Sequence, residues 1–530
     1  MNDVVAAALF VVGALAWLAV VALDTPSVGV PRAQTRAASI LIMLGLLVNV
    51  LMAATPPTAL VLAQLAGLYL LIAALWAGFG RAHVDAKKPL VWTKKALLLA
   101  ALSLVLVAVT LGPLAAGWLR QPSAGVAAVL LIVLGAMGLG HIPAIYLNLA
   151  TLLLWPFQAA AKWAIVQAAA MRLRRRGDLI VIGVTGSYGK TSTKEILATL
   201  LGARYRVRKT TGSVNTPIGI ARTVLRGLRP HDQVFVVEMG AYVRGNIRDL
   251  ARLARPRIGV LTAIGEQHLE RFGSVENIAQ TKYELIEALP ADGLAVFNAD
   301  NPGCRALAAR TRHVPVRTYG LDAAAPAPDV TAVDIRTSAE GTEFTVRAAG
   351  HGEARFASPL LGRHNVSNVL AAIAVALELG LSLEEIAAAA RHLEPVAHRL
   401  QLIHGQGGVT VIDDAYNSNP AGARAALAVL AEFPGRKVLV TPGMVELGAL
   451  EAERHAEFGR EAAAVCDFII LIGRRRTAAI AEGARAAGFP ADRLFVAASL
   501  KEATAQLGRL VAAGDVVLFE NDLPDQYSEE

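Results

Sequence analysis

Cysteine is nearly absent: 530 residues contain two, Cys304 and Cys466, far apart and without metal-ligand spacing. That excludes a disulfide framework and a cysteine-built metal site, and it points to a reducing compartment. Aromatic residues make up 5% of the chain and form no stacking pattern with basic ones, and much of the formal charge of +8 sits in membrane-flanking clusters, so it is not a nucleic-acid signal. The first residues, Met1-Asn2-Asp3, lack a basic n-region, and more apolar spans follow, which argues against a cleavable signal peptide. Charge itself is sparse over residues 1–160 and ordinary beyond them, so the 54% hydrophobic content is concentrated at one end.

The length suggests about three domains. In the first, 1–160, five stretches approach the ~20 apolar residues that a spanning helix needs: 4–23, 38–54, 59–79, 96–119 and 126–147. A further apolar stretch, 149–161, is broken by Pro156 and reads as interfacial or as a continuation. Basic residues alternate between loops. Arg32 and Arg36 mark the first, Arg81, Lys87, Lys88, Lys94 and Lys95 the third, and Lys162, Arg172, Arg174, Arg175 and Arg176 follow the fifth span. The second loop has none and the fourth only Arg120. Five spans with the N-terminus outside put every basic cluster in the cytoplasm. No Asp, Glu, Lys or Arg lies within the spans, which counts against an ion or proton pathway and leaves His141 as the lone polar candidate. The block reads as a multi-pass membrane anchor in contact with lipid, or as a docking surface for a membrane partner.

From residue 177 strands and helices alternate. The runs 179–184, 233–238, 258–263 and 294–298 predict strands of a parallel sheet with crossover helices, in a P-loop-type central domain, 177–394. Residues 327–357 alternate like a small antiparallel insert, and helices are expected at 365–379 and 383–393. After a linker at 395–399, strand candidates 409–412, 437–441, 468–472, 493–497 and 515–519 predict a Rossmann-like α/β domain, 395–530. Two such domains would hold a substrate cleft between them.

Between the first strand and its helix lies GVTGSYGKTSTKE, 183–195. A glycine-rich turn leading into a helix is a phosphate cradle. Gly186, Ser187, Gly189 and Ser192 line it, Lys190 supplies charge, and the Thr191 hydroxyl suits magnesium. The spacing is shorter than Walker A, so position rather than pattern carries the reading. Glu238 ends an apolar strand at the phosphate crevice, where a carboxylate is placed to hold magnesium or is an ordinary strand-end acid. Taken singly, His268 and Lys282 would be surface residues. His364, Asn365 and Asn368 head an apolar helix, as caps or as base contacts. Asp413, Asp414, Tyr416 and Asn417 form a dense polar run after a strand that could meet a ribose or a substrate.

Together with Asn215-Thr-Pro-Ile-Gly219, VVEMGA, AIGEQHLERFGS, Gln280-Thr-Lys282-Tyr-Glu284, FNADN, LGRHNVSNVLAA, AHRL, VIDDAYNSNP and GMVELG, these motifs resemble the Mur ligase family over residues 178–520. The resemblance is strongest to the branch that adds D-alanyl-D-alanine to the muramoyl tripeptide. It implies an ATP-dependent amide ligase working through an acyl phosphate, on a UDP- or lipid-linked peptidoglycan precursor and an amino acid or dipeptide. It implies ATP phosphates at Lys190 and Thr191, magnesium ligands at Glu238 and His268, and a carbamylated Lys282 organising a second magnesium. It further implies an Asn298/Asp300 motif, adenine-side contacts at His364 and Asn365, and closure contacts at Arg399, Asp413 or Asp414, Tyr416 and Asn417. His455 follows GMVELG as in the family. Two features depart from it: the membrane block stands where the family carries its UDP-sugar domain, and Glu520-Asn521-Asp522 follows the last strand in place of a lysine- and glycine-containing segment. A polyglutamate-type polymer ligase is the rival enzyme, and a nucleotide-binding scaffold of a cell-wall assembly the rival outside enzymes.

Overall fold

The computed structural model describes residues 93, 95–103, 105, 142–321, 327–338 and 340–523. The expected spans 4–23, 38–54 and 59–79, and His141, lie outside these. The fourth span is described only at its helical start, and the fifth only from 142 onward. Contacts divide the chain into two units, 1–161 (with Glu530) and 162–529.

Helix α1, Ile142–Arg174, runs straight through Pro156. The break expected there does not occur: proline removes one helical hydrogen bond but leaves the rest of a 33-residue ladder in place. Over Leu147–Arg174 this helix is long and apolar enough to cross a membrane, by length and composition alone. Trp155, Phe157 and Trp163 are each about two-thirds exposed or more (66%, 72% and 66%). Its last turns belong to the unit 162–529 and pack into that unit. Ala169, Ala170 and Leu173 are buried in the unit's core, and Arg172 donates to the backbone oxygens of Leu225 (3.0 Å) and Leu228 (2.5 Å). Arg176 does the same to Arg229 (3.0 Å) and Asp232 (2.6 Å). Two arginines of the basic cluster are thus structural clamps rather than free flanking charges.

The central sheet follows in the order β1 (Ile180–Thr185), α2 (Lys190–Leu201), β2 (Val207–Lys209), α3 (Pro217–Gly227), β3 (Val234–Glu238), α4 (Asn246–Ala254), β4 (Ile258–Leu261). Then come α5 (Leu269–Phe272), α6 (Val275–Glu287), β5 (Leu294–Asn298), α7 (Pro302–Arg310) and β6 (Val316–Gly320). Strand order is β2-β3-β1-β4-β5-β6, all parallel. The expected antiparallel insert is not separate. Strands β7 (Val330–Ser338), β8 (Gly341–Ala348) and β9 (Gly352–Ser358) extend the same sheet through a short parallel contact of β7 with β6, giving nine strands. Helices α8 (Arg363–Glu378) and α9 (Leu383–Ala390) pack with α2 on one face, and α3, α4, α6, α7 and the end of α1 on the other. Burial on both faces explains the near-continuous apolar runs of β1, β3 and β4. β1 lies between β3 and β4, so its carboxyl end opens at the crevice where connections leave in opposite directions.

The second sheet contains β10 (Gln401–His404), β11 (Thr410–Asp414), α10 (Pro420–Glu432), β12 (Lys437–Thr441), α11 (Glu451–Val465), β13 (Phe468–Ile472), α12 (Ala478–Ala486), β14 (Leu494–Ala497), α13 (Leu500–Leu510) and β15 (Val516–Glu520). Its order is β10-β11-β15-β12-β13-β14, parallel except for β10. β2, β6 and β10 escape sequence reading because each is short or half-exposed and carries no apolar run.

Replacing Arg172 by Met removes two charge-assisted bonds to backbone oxygens, each worth about 1.5–3 kcal/mol. Hydrogen exchange of the Arg172→Met protein should speed up over 165–176 while the β1 amides stay protected. Unchanged exchange there would contradict the clamp.

Candidate functional site

The loop after β1 is squeezed on both sides. A Cβ at Gly186 (φ 155°) would lie 1.9 Å from the Thr262 hydroxyl, and one at Gly189 (φ 81°) 2.6 Å from the Asn368 side-chain oxygen. Only glycine fits at either position. Gly189 is the N-cap of α2 and no side chain caps that helix, so its first-turn N–H groups face the loop unclaimed, as an anion site requires. Lys190 curls over the loop and donates to the oxygens of Gly186 (2.8 Å), Ser187 (3.1 Å) and Gln267 (3.4 Å). Burial lowers its pKa to about 8, with Arg399 adding to the shift and Glu238 opposing it. The Ser187 hydroxyl bonds the backbone of Gly265, and Ser192 lines a small crevice with Asn365 and Arg399.

Glu238 is the hub. It is 1% exposed and accepts from the Thr191 hydroxyl (3.0 Å) and from Asn215 Nδ2 (3.1 Å). The fully buried Lys194 ammonium lies 3.7 Å away. Lys194 received no role from sequence, although its spacing of three from Thr191 places both on one helix face. Asn215 was quoted only as part of a motif. A hydroxyl and a carboxylate side by side are the hard oxygen donors that magnesium takes, so these residues fit one such ion.

Among the described residues the other expected metal ligands make no bond to Thr191 or Glu238. His268, in the left-handed region (φ 56°), turns its Nδ1 to Glu446 and sits against Tyr242, ring centroids 4.8 Å apart. Among the described residues no three His, Cys, Asp or Glu side chains form a metal group. Lys282 on α6 is 3% exposed, not the surface residue its sequence position alone would suggest. Among the described residues no hydrogen bond or ion pair engages its amine. Burial and the Lys190 charge hold its pKa well below the usual lysine range, which favours the neutral amine.

Asn298 and Asp300 serve the scaffold. Asn298 donates to the Thr262 oxygen (3.0 Å) and accepts from the Asp300 N–H (2.9 Å), and Asp300 accepts from Leu321 (2.8 Å). Asn365 donates to Leu361 (3.0 Å), and Asn368 joins it (3.3 Å) to Thr193 on α2 (3.2 Å). Burial keeps the neighbouring His364 neutral, with a pKa of about 4. In the second sheet, Arg399 stacks over Tyr416 at 4.2 Å, Asp413 takes His398 Nδ1 (2.7 Å), and Asp414 accepts from the Leu400 N–H (3.2 Å). Asn417 follows on the same half-buried loop. His455 is a brace: its Nε2 accepts from the Met444 N–H (2.9 Å) and its Nδ1 meets the Arg476 oxygen (3.1 Å). Glu520, in register with Asp414, is 1% exposed. Burial raises its pKa to about 8 while the Ser418 and Thr441 hydroxyls donate to it.

Three contacts tie the two sheets together near the loop. Arg454 grips both Glu266 oxygens at 2.8 Å, His268 meets Glu446, and the Glu270 N–H donates to the Glu446 oxygen (3.3 Å). A cleft of about 270 Å³ opens between them, with Tyr188, Gly265 and Glu266 on one wall and Asn419, Ala421 and Arg424 on the other.

A model of the Mur ligase middle domain matches residues 184–376, and one of the Mur ligase glutamate ligase domain matches 398–520. The UDP-N-acetylmuramoyl-tripeptide--D-alanyl-D-alanine ligase of Bacillus subtilis (strain 168) is 37% identical over 359 residues, covering 67% of this chain and 76% of that protein. Among solved structures, MurF from Acinetobacter baumannii aligns with a TM-score of 0.63 at 29% identity over 69% of this chain and 78% of that one. MurF ligase from Thermotoga maritima, in complex with ADP, aligns with a TM-score of 0.61 at 27% identity over 68% and 80%.

Glu520 binds a proton in the fold up to about pH 8, against 4.5 for an ordinary glutamate. The stability this contributes is complete below the ordinary value and is lost as pH rises through about 8. Glu520→Gln mimics the neutral acid, so its melting temperature should fall less than the wild type's between about pH 6 and 9. Parallel curves would show that Glu520 is ionised throughout.

Proposed function

The chain belongs to the Mur ligase family of ATP-dependent acid–amino-acid ligases, and on that premise we propose that it joins D-alanyl-D-alanine, or a similar amino compound, to the terminal carboxylate of a UDP- or lipid-linked muramoyl-peptide precursor. The names of its relatives support the substrates. The observation that carries the chemistry is the convergence of Lys190, Thr191 and Glu238 at an uncapped helix N-terminus, with the buried Lys282, which has no bonded partner among the described residues, close enough to feel the Lys190 charge.

In this reading the loop from Gly186 to Ser192 cradles the ATP phosphates, with Gly186 and Gly189 allowing backbone N–H groups to approach. Arg399, stacked on Tyr416, and the His364–Asn365 helix start flank the nucleotide, with Asp413, Asp414 and Asn417 on the same side. An acceptor carboxylate oxygen attacks the γ-phosphorus and ADP departs with the bridging oxygen. The amine nitrogen then attacks the acyl carbon, the tetrahedral intermediate expels phosphate, and the nitrogen sheds a proton. Lys190 leaves its loop carbonyls to offset charge on the transferring phosphoryl group. Thr191 and Glu238 would hold magnesium, which adds further charge neutralisation at the phosphates. Lys282, kept neutral by burial, has the lone pair that can add to carbon dioxide, the nitrogen losing a proton to water as the N–C bond forms, and the resulting carbamate would supply an anionic oxygen for a second magnesium. His268, tied to Glu446, acts in closure, which keeps water from the acyl phosphate.

The proposal places this ligase at the cytoplasmic face of a membrane, held by the apolar N-terminal block. Supporting this are the alternation of loops rich and poor in basic residues and the exposed apolar helix Leu147–Arg174; the family models begin only at residue 184.

Detergent-solubilised protein given ATP, UDP-N-acetylmuramoyl-tripeptide and D-alanyl-D-alanine, or the lipid-linked acceptor, should yield ADP and a ligated product of the summed mass less water. Product from the lipid-linked form alone would make the apolar block part of the acceptor site. Absence of product from both would refute the proposal. Lys282→Ala should lower turnover by about 100-fold or more, on the scale of losing one charged catalytic element, and short carboxylates should restore part of it. Full activity without them would remove Lys282 from the mechanism.

A further inference from the structure

The carboxyl end of the central sheet holds the phosphate loop, and its amino end carries charge that the ligation chemistry does not use. α1 leads through Arg174, Arg175 and Arg176 into β1, Arg206 precedes β2, and the last turn of α3 with Arg226, then Arg229, precedes β3. These three strands run parallel, with Ile180, Val234 and Val207 in register at their starts, so the arginines gather along one edge. The reach of Arg172 and Arg176 to backbone oxygens between Leu225 and Asp232 shows how closely the segments meet.

Only two acids lie on the segments 172–178, 206–208 and 226–233, and both are engaged. Asp178 pairs with Arg176 (2.8 Å), and the buried Asp232 pairs with Arg208 (3.2 Å). Arg174, Arg175, Arg206, Arg226 and Arg229 remain, all exposed, and among the described residues no carboxylate or other acceptor meets their side chains. Farther along the same edge the charges balance, with Arg255 and Arg257 matched in number by Glu287 and Asp292, and Arg257 3.1 Å from Asp292. The excess is therefore confined to the end of α1. Like charges gathered without counter-charge repel one another and favour an anionic partner. Exposed side chains from three separate segments suit an extended anionic surface better than one bound ion. The helix that delivers two of them supplies the rest of the identification. It is long and apolar enough to cross a membrane, with Trp163 66% and Met171 50% exposed, and an indole beside Lys162 is the pairing found where a helix leaves a bilayer.

We propose that this arginine edge docks on the anionic phospholipid headgroups of the membrane that the apolar block enters. The inference rests on the membrane placement proposed above and adds which face of the enzyme meets the lipid. β1 separates that face from the phosphate loop by six residues, about 20 Å at ~3.3 Å per residue. Docking therefore leaves the ATP site open on the side away from the lipid, and the five arginines take no part in phosphate binding.

The test uses the full-length protein in lipid nanodiscs. His231 is exposed between Arg229 and Asp232, and Cys304 and Cys466 are buried, so His231→Cys takes a fluorophore at the patch alone. Discs of phosphatidylcholine, with or without phosphatidylglycerol, carry a quencher on their headgroups. Quenching should be stronger with phosphatidylglycerol and should fall to the phosphatidylcholine level at ~1 M salt, where the screening length is about 3 Å. Each arginine near such a surface is worth about fivefold in binding. Adding Arg226→Gln and Arg229→Gln should thus weaken docking by roughly 25-fold and bring quenching close to the phosphatidylcholine level, while melting temperature and binding of a non-hydrolysable ATP analogue stay unchanged. Equal quenching in the two kinds of disc, or undiminished quenching after both substitutions, would overturn the docking face and leave the membrane placement standing. A protein that enters neither disc would overturn both.

Discussion

An excess of buried positive charge around Glu238 governs the central site. Lys194 lies 3.7 Å from it with no exposure, and the Lys190 and Arg399 charges are both felt in the same crevice. Lys282 is depressed by Lys190 in turn. Glu195 pairs with Lys194 (3.1 Å) and Asp414 faces Arg399, which leaves Lys190 as the buried cation that leans on Glu238 in a medium that screens poorly. Lys190 meanwhile binds the carbonyls of its own loop. Such a site is incomplete without an anion, and a polyphosphate entering along the open N-terminus of α2 supplies the missing charge. The glycines at 186 and 189, the packing of Asn368 against the loop and the placement of β1 between β3 and β4 all hold the cations where that charge would arrive.

The same constraint links the two sheets. The segment 265–270 carries Gln267 to Lys190 on one side and offers Glu266, His268 and the Glu270 N–H to Arg454 and Glu446 on the other. Movement of the second sheet therefore reaches the phosphate lysine through one short stretch of chain. His268 belongs to this connection through Glu446. Its left-handed backbone and its contact with Tyr242 aim the ring at Glu446.

Much of this was legible in the sequence where a residue's environment follows from its own neighbourhood. The run 437–441 and the run 468–472 became strands at those bounds because the central residues of parallel strands are covered on both faces and are apolar here. The phosphate loop could be placed because a strand, two glycines, a lysine and a helix adjoin in the chain. What depended on distant partners was not legible. β7–β9 read as a separate insert, since a short parallel contact with β6 leaves no local signature. Lys194 and Lys282 look like solvated helix lysines until the sheet covers them. The arginines at and just after the end of α1 looked like flanking charges, and two of them, Arg172 and Arg176, instead bind backbone oxygens 53–56 residues away.

The central claim is that the charge-poised loop activates a carboxylate as an acyl phosphate. Isotope transfer tests it most directly. The acceptor UDP-N-acetylmuramoyl-tripeptide, labelled with ¹⁸O in its terminal carboxylate, is turned over with ATP and D-alanyl-D-alanine, and the released phosphate is analysed by mass. Attack by the carboxylate oxygen on the γ-phosphorus, followed by rupture of the carbon–oxygen bond, predicts one ¹⁸O in each phosphate formed per amide. Phosphate that carries no label, with amide still produced, would contradict the account.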